Sequence, residues 1–179
     1  GSYNDKKILD LDFAPTGKSY LFKDNNNKLP IHPVNITQRE YQKSQYCCAF
    51  NGSSQYIQLG PNSLFNFGLD DFVISIRFRV DSFSNTYPTL LASGGTTGTR
   101  YYAAIFADTY GIVADRRKFA VGIAAFSTFV ISDNKLDSGD NEVTIIRSNG
   151  LMKIIVNGIT TIGSVSLAST VVDFSYQNN

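Results

Sequence analysis

Between Phe72 and Val80 the chain alternates without a break. Phe72, Ile74, Ile76, Phe78 and Val80 fall on one parity, and Ser75, Arg77 and Arg79 on the other. A period of two gathers those apolar side chains on one face of a strand, whereas a helix would scatter them around its axis. The segment therefore predicts a half-buried strand. Residues 8–13 (ILDLDF) alternate apolar and acidic positions in the same way, and residues 101–106, 118–123 and 128–131 are further strand candidates.

The strongest local signal lies at residues 142–163. EVTIIR runs into Ser148-Asn149-Gly150, then LMKIIV, then Asn157-Gly158, then ITTIG. Asn-Gly tolerates the positive φ angles of a type I′ turn, the turn whose twist matches that of its flanking strands. Two such turns among three apolar runs specify an antiparallel meander. Elsewhere the punctuation is polar. Residues 23–28 (KDNNNK) read as a turn, and Pro30-Ile31-His32-Pro33 predicts irregular backbone because two prolines oppose regular structure. Residues 35–45 could hold one short helix, although no apolar stripe supports it. Residues 94–98 (GGTTG) read as a flexible loop between strands. Many short strands, frequent Gly/Asn/Ser turns and almost no helix predict an all-β fold, a sandwich or a barrel. No repeat and no linker-like stretch divides the chain, so residues 3–179 are expected to form one domain, with Gly1-Ser2 reading as an expression-tag remnant.

Composition narrows the function classes. The chain has 179 residues, enough for a sizeable core, and a formal net charge of +1 with 17% charged residues. Such a balance offers no field to steer it onto nucleic acid, and no basic stripe stands out. No run is long and apolar enough to predict membrane insertion. Aromatic residues make up 13%, all Phe and Tyr, and these favour pleated surfaces. Cys47 and Cys48 are adjacent, a spacing that opposes a mutual disulfide and lacks a second pair for zinc, so both read as small packing residues.

Four segments in order resemble laminin-G-like domains of the concanavalin-A-like superfamily. Residues 49–60 (AFNGSSQYIQLG) resemble that family's early strand–turn–strand. Residues 67–81 (FGLDDFVISIRFRVD) look like its next strand, and residues 89–95 (TLLASGG) like the one after. Residues 142–158 (EVTIIRSNGLMKIIVNG) are similar to its late hairpin. The match covers roughly residues 46–165. The resemblance implies a two-sheet antiparallel jelly-roll sandwich with variable loops at its rim, as found in lectins, adhesive proteins and phage tail or virion proteins. Two departures stand out. The family's usual tryptophan positions hold Phe78 and Asn141, and the chain reaches Asn179 without the family's closing strand. A sandwich one strand short is the expectation, with residues 8–13 as an unpaired edge.

Catalysis is not expected. The glucanases among these relatives carry paired carboxylates on one strand, as glycoside hydrolysis requires. The two glutamates here, Glu40 and Glu142, stand far apart, while Asp10 and Asp12 read as a solvated strand face. A Ser-His-acid triad would have to use His32, the single histidine, which reads as a loop residue without a nucleophile elbow. No cofactor is expected, with calcium as the one metal to weigh. Asp133, Asp137 and Asp140, with Asn134, Asn141 and Gly139, read as one loop of hard oxygen donors. The spacing is not that of an EF-hand, and the same residue types simply make good turns. For a ligand surface, the stretch from Tyr87 to Arg117 supplies Tyr87, Arg100, Tyr102, Asp108, Tyr110, Asp115 and Arg116. Tyrosine faces suit sugar C–H groups, and planar polar groups suit hydroxyls. Core and sheet-surface roles account for the tyrosines equally well. Asn35 and Asn51 begin sequons, and Asn51 falls where the family has a tight turn. The expected function is a non-catalytic carbohydrate- or receptor-binding module on an extracellular or virion surface, its partner a glycan or cell-surface receptor. The alternative is an assembly domain of a virion or adhesin, working through a homo-oligomer or a virion partner.

Overall fold

The computed structural model describes residues 11, 31–36, 50–51, 53–59, 63–81, 89–92, 101–105, 117–123 and 127–175. The chain divides into two compact units, Gly1–Leu64 and Phe65–Asn179. The described residues of each pair as antiparallel strands and hold almost no helix. Strand prediction at residues 8–13, helix prediction at 35–45, the glycine-rich stretch 94–98 and the cysteine pair fall outside the described residues, apart from a bridge residue at Leu11 and the non-helical Asn35 and Ile36.

In the first unit, β1 (His32–Val34) pairs with β2 (Tyr56–Gln58), with Pro33 opposite Ile57. This corrects the expectation of irregular backbone at the two prolines, and it moves His32 from a loop to an exposed strand position. The fixed φ of proline is compatible with extended backbone. Among the described residues the ribbon has two strands, and a missing N–H on the outer side of such a strand costs little. Asn51 has the turn role its position suggested. Its side-chain oxygen accepts the N–H groups of Ser53, Ser54 and Gln55 at 3.0, 3.0 and 3.2 Å.

In the second unit, β3 (Asn66–Gly68) precedes β4 (Phe72–Arg79). Then come β5 (Thr89–Ala92), β6 (Tyr101–Ile105), β7 (Lys118–Ile123), β8 (Ser127–Lys135), β9 (Asp140–Ser148), β10 (Leu151–Val156), β11 (Ile159–Ile162) and β12 (Val172–Asp173). One four-stranded sheet has the order β11-β10-β9-β4 and a second the order β5-β6-β7-β8. One apolar cluster draws on both. Phe72, Val143, Ile145, Met152, Ile154 and Val156 come from the first sheet, and Phe119, Val121, Phe129 and Val130 from the second. The predicted alternation holds along β4: Phe72 is buried, Ile74, Ile76 and Phe78 are partly buried, and Val73, Ser75, Arg77 and Arg79 are exposed. The sequence gives β7 differently. Phe119, Ala120, Val121 and Gly122 are all buried, as befits a strand covered on both faces.

Both Asn-Gly pairs form the expected turns, with φ of 52° and 70° at Asn149-Gly150 and 49° and 84° at Asn157-Gly158. After β11 the chain passes beneath β8. A Cβ built on Gly163 would overlap the Phe129 carbonyl oxygen and stand 3.1 Å from that of Met152, so only glycine fits this crossing. The last described segment also pairs. β12 lies antiparallel to β3, and the Phe174 N–H donates to Phe65 O at 2.9 Å.

Candidate functional site

Strand register decides which connections share an end of the second unit. In the second sheet, Thr89 opens β5 opposite Ala104, Ile105 closes β6 opposite Phe119, and Lys118 opens β7 opposite Lys135. The connections at residues 81–88 and 106–116 therefore join the sheet at one end. The four-residue turn 136–139 links that end directly to the start of β9, where Asp140 faces Arg79. Two backbone hydrogen bonds draw the turn in, from Leu136 N to Arg117 O at 2.8 Å and from Val80 N to Gly139 O at 3.1 Å. The Asn157-Gly158 turn belongs to the same end, since Val156 faces Val143 and Asn157 N donates to Glu142 O at 2.9 Å. The result is one rim.

Of the seven ligand candidates, Tyr87, Arg100, Asp108, Tyr110, Asp115 and Arg116 lie outside the described residues, and Tyr102 lies in β6. Tyr87 falls between β4 and β5, and Asp108, Tyr110, Asp115 and Arg116 between β6 and β7, whose flanking strand ends lie at the rim. Arg100 precedes Tyr101, which faces Ile123 at the other end of the sheet, and Tyr102 faces Ala92 and Gly122 nearby.

The three metal candidates do not share a loop. Asp133 and Asn134 lie in β8 and Asp140 and Asn141 in β9, so only residues 136–139 turn. The correction has a physical source. Polar residues that look like loop formers are here held within strands by their own hydrogen bonds. Ser132 Oγ accepts Phe119 N–H at 2.9 Å and donates to Asn134 O at 2.7 Å, and Asn134 Nδ2 donates to Val156 O at 3.0 Å. Among the described residues, no group of three or more His, Cys, Asp or Glu side chains is gathered to hold a metal ion.

What organises the rim is amide chemistry. Asn141, 4% exposed, accepts the Asp137 N–H at 2.9 Å and donates to Asp137 O and Gly139 O, both at 2.9 Å. Asn157 Nδ2 donates to Asn141 Oδ1 at 3.0 Å and to Asp137 Oδ2 at 3.2 Å, while Asn157 Oδ1 accepts the Glu142 N–H at 2.9 Å. These bonds tie the two turns to β9 and to each other, so the rim backbone is preorganised. Around it stand exposed charges, Arg77 paired to Glu142 at 3.0 Å and Arg79 to Asp81 at 3.1 Å. Exposed pairs of this kind stabilise little and stay available to a ligand. The roles of Asn141 and Asn157 were not foreseen. Parity offered a signal for the first, because Asn141 shares its strand face with Val143 and Ile145.

Comparison with known proteins finds no match: no family model, no curated protein and no solved structure is significantly similar to this chain. No described helix is long and apolar enough to cross a membrane.

A second surface lies on the outer face of the β11-β10-β9-β4 sheet. Register aligns Ile162, Lys153, Ile146 and Val73 in one row, with Thr160, Ile155, Thr144 and Ser75 in the next. Val73 is 60% exposed and Ile162 58%. The hydroxyls of Ser75 and Thr144 bond across strands at 3.2 Å.

Proposed function

We propose that this chain is a non-catalytic binding module of the laminin-G-like, concanavalin-A-like kind, a jelly-roll sandwich acting on an extracellular or virion surface. Its ligand is a glycan or cell-surface receptor, taken at the rim. The observation that carries this reading is the strand register. Connections bearing Tyr87, Asp108, Tyr110, Asp115 and Arg116 join the same end as the amide-locked turn. Loops on a rigid scaffold are where binding residues concentrate. Aromatic and planar polar groups together are what a sugar surface needs.

Glycan-array and cell-binding measurements on wild type, Tyr110→Ala and Arg100→Ala test it. Loss with Tyr110→Ala or with Arg100→Ala is the expected result. Absence of binding up to about millimolar ligand, the weak end of specific recognition, would overturn it. So would unchanged binding in both variants.

The apolar residues Val73, Ile146, Ile155 and Ile162 of that outer face favour a second reading, an assembly domain that buries this face against a virion or adhesin partner or another copy of itself. Exposed apolar rows mark interaction surfaces. Light scattering with Val73→Lys tests it: an assembly that the lysine dissolves supports it, and a strict monomer without any partner in a pull-down counts against it.

A further inference from the structure

Three Asn-Gly pairs occur, at 51–52, 149–150 and 157–158. In such a pair the glycine nitrogen can attack the asparagine Cγ with little hindrance, because glycine has no Cβ. A C–N bond forms, the Cγ–Nδ2 bond breaks, ammonia leaves and a five-membered succinimide remains. Water opens that ring at one carbonyl or the other, giving aspartate or isoaspartate. No catalyst or redox partner is needed. What the reaction does require is a side chain free to turn its Cγ toward the glycine nitrogen.

The three asparagines differ in this freedom. Asn51 Oδ1 accepts three backbone N–H groups, and its Nδ2 donates to Ser54 Oγ at 3.0 Å. Asn157 is held through both side-chain atoms, by Glu142 on one side and by Asp137 and Asn141 on the other. Asn149 is exposed, and its side-chain amide makes no hydrogen bond among the described residues. Only its backbone N–H is engaged, by Asp71 Oδ1 at 3.2 Å.

We propose that Asn149 is a site of spontaneous deamidation, set apart from the other two pairs by its unrestrained amide. The product is consequential. Isoaspartate adds a methylene to a two-residue turn that is already confined, since a Cβ on Gly150 would stand 3.0 Å from Ala168 Cα. Either product places a carboxylate beside Asp71 and moves the formal net charge from +1 to 0. The β9–β10 turn lies at the far end of its sheet from the rim, so the modification and rim binding are separable.

The test is peptide mapping by mass spectrometry over time at mildly alkaline pH, on the folded chain and on the same chain in urea. In urea all three pairs should convert at comparable rates. In the folded chain Asn149 should convert about tenfold or more faster than Asn51 and Asn157, the factor conferred by about 1.4 kcal/mol of restraint on the attack. The acidic shift in isoelectric point should disappear in Asn149→Gln. Asp137→Ala, a change at an exposed residue, should raise the rate at Asn157. Folded-state protection of Asn149 equal to that of Asn157, or an unchanged Asn157 rate in Asp137→Ala, would overturn the proposal.

Discussion

The β11-β10-β9-β4 sheet carries the same dipeptide at both its ends. Asn149-Gly150 and Asn157-Gly158 share a turn type and nearly the same φ angles, yet their surroundings are opposite. At the rim the glycine is unconfined, with nothing within 4 Å of a Cβ built on Gly158, and the asparagine side chain carries the structure. At the other end the asparagine side chain is idle and the glycine is confined against Ala168. That end is secured by Arg147 instead. Arg147, 1% exposed, donates from Nη1 to Gly68 O and from Nη2 to Leu167 O, both at 2.7 Å, and its Nε has no partner among the described residues. A dipeptide thus fixes a turn's backbone, while the chain packed against it decides which of the two residues is indispensable.

The largest expected effect falls on the Arg147 end. Arg147→Ala removes two charge-assisted hydrogen bonds, to the Gly68 and Leu167 carbonyls, and opens a cavity, so urea denaturation should show a loss of about 3 kcal/mol or more. Arg147→Lys should recover little, because an ammonium lacks the planar fork that reaches two carbonyls at once. Next come the glycines. Gly150→Ala suffers both left-handed strain and overlap with Ala168 and should cost about 2–4 kcal/mol, whereas Gly158→Ala suffers only the strain, about 1–2 kcal/mol. Equal losses would break the comparison. The asparagines should reverse that order. Asn157→Gly keeps the positive φ but removes three side-chain hydrogen bonds, at a cost of about 1–3 kcal/mol, while Asn149→Gly should stay within about 0.5 kcal/mol of wild type. The smallest effect belongs to the rim's surface charges. Arg77→Ala, which breaks an exposed pair with Glu142, should change thermal stability by no more than about 0.5 kcal/mol. A larger change would mean the rim is held by charge as well as by amides.

Much of the fold was legible where pattern is local. Phe72–Arg79 was readable from alternation, Lys118–Ile123 as a short apolar run and the two hairpins from Asn-Gly, because period and turn chemistry act over a few residues. Legibility failed where a partner distant in sequence rewrites local preference. Pro33 lies in a strand because Tyr56–Gln58 pairs with it. Asp133 and Asn134 extend β8 because Thr161 and Val156 meet them: Thr161 Oγ1 accepts the Asp133 N–H at 2.9 Å. The candidate site was legible as a set of residue types, not as a place. The start of β6 and the end of β6 lie at opposite ends of the sheet, a distinction that depends on strand register.

The sequence by itself determined an all-β chain, two type I′ turns and the inward face of β4, since each follows from side-chain spacing and backbone preference within one segment. Only the tertiary structure decided that the 136–139 turn is closed by the amides of Asn141 and Asn157, that Gly163 must pass beneath Phe129, and that Arg147 lies buried between two carbonyls. Each depends on segments brought together by folding, whose hydrogen bonds and close approaches no local pattern specifies.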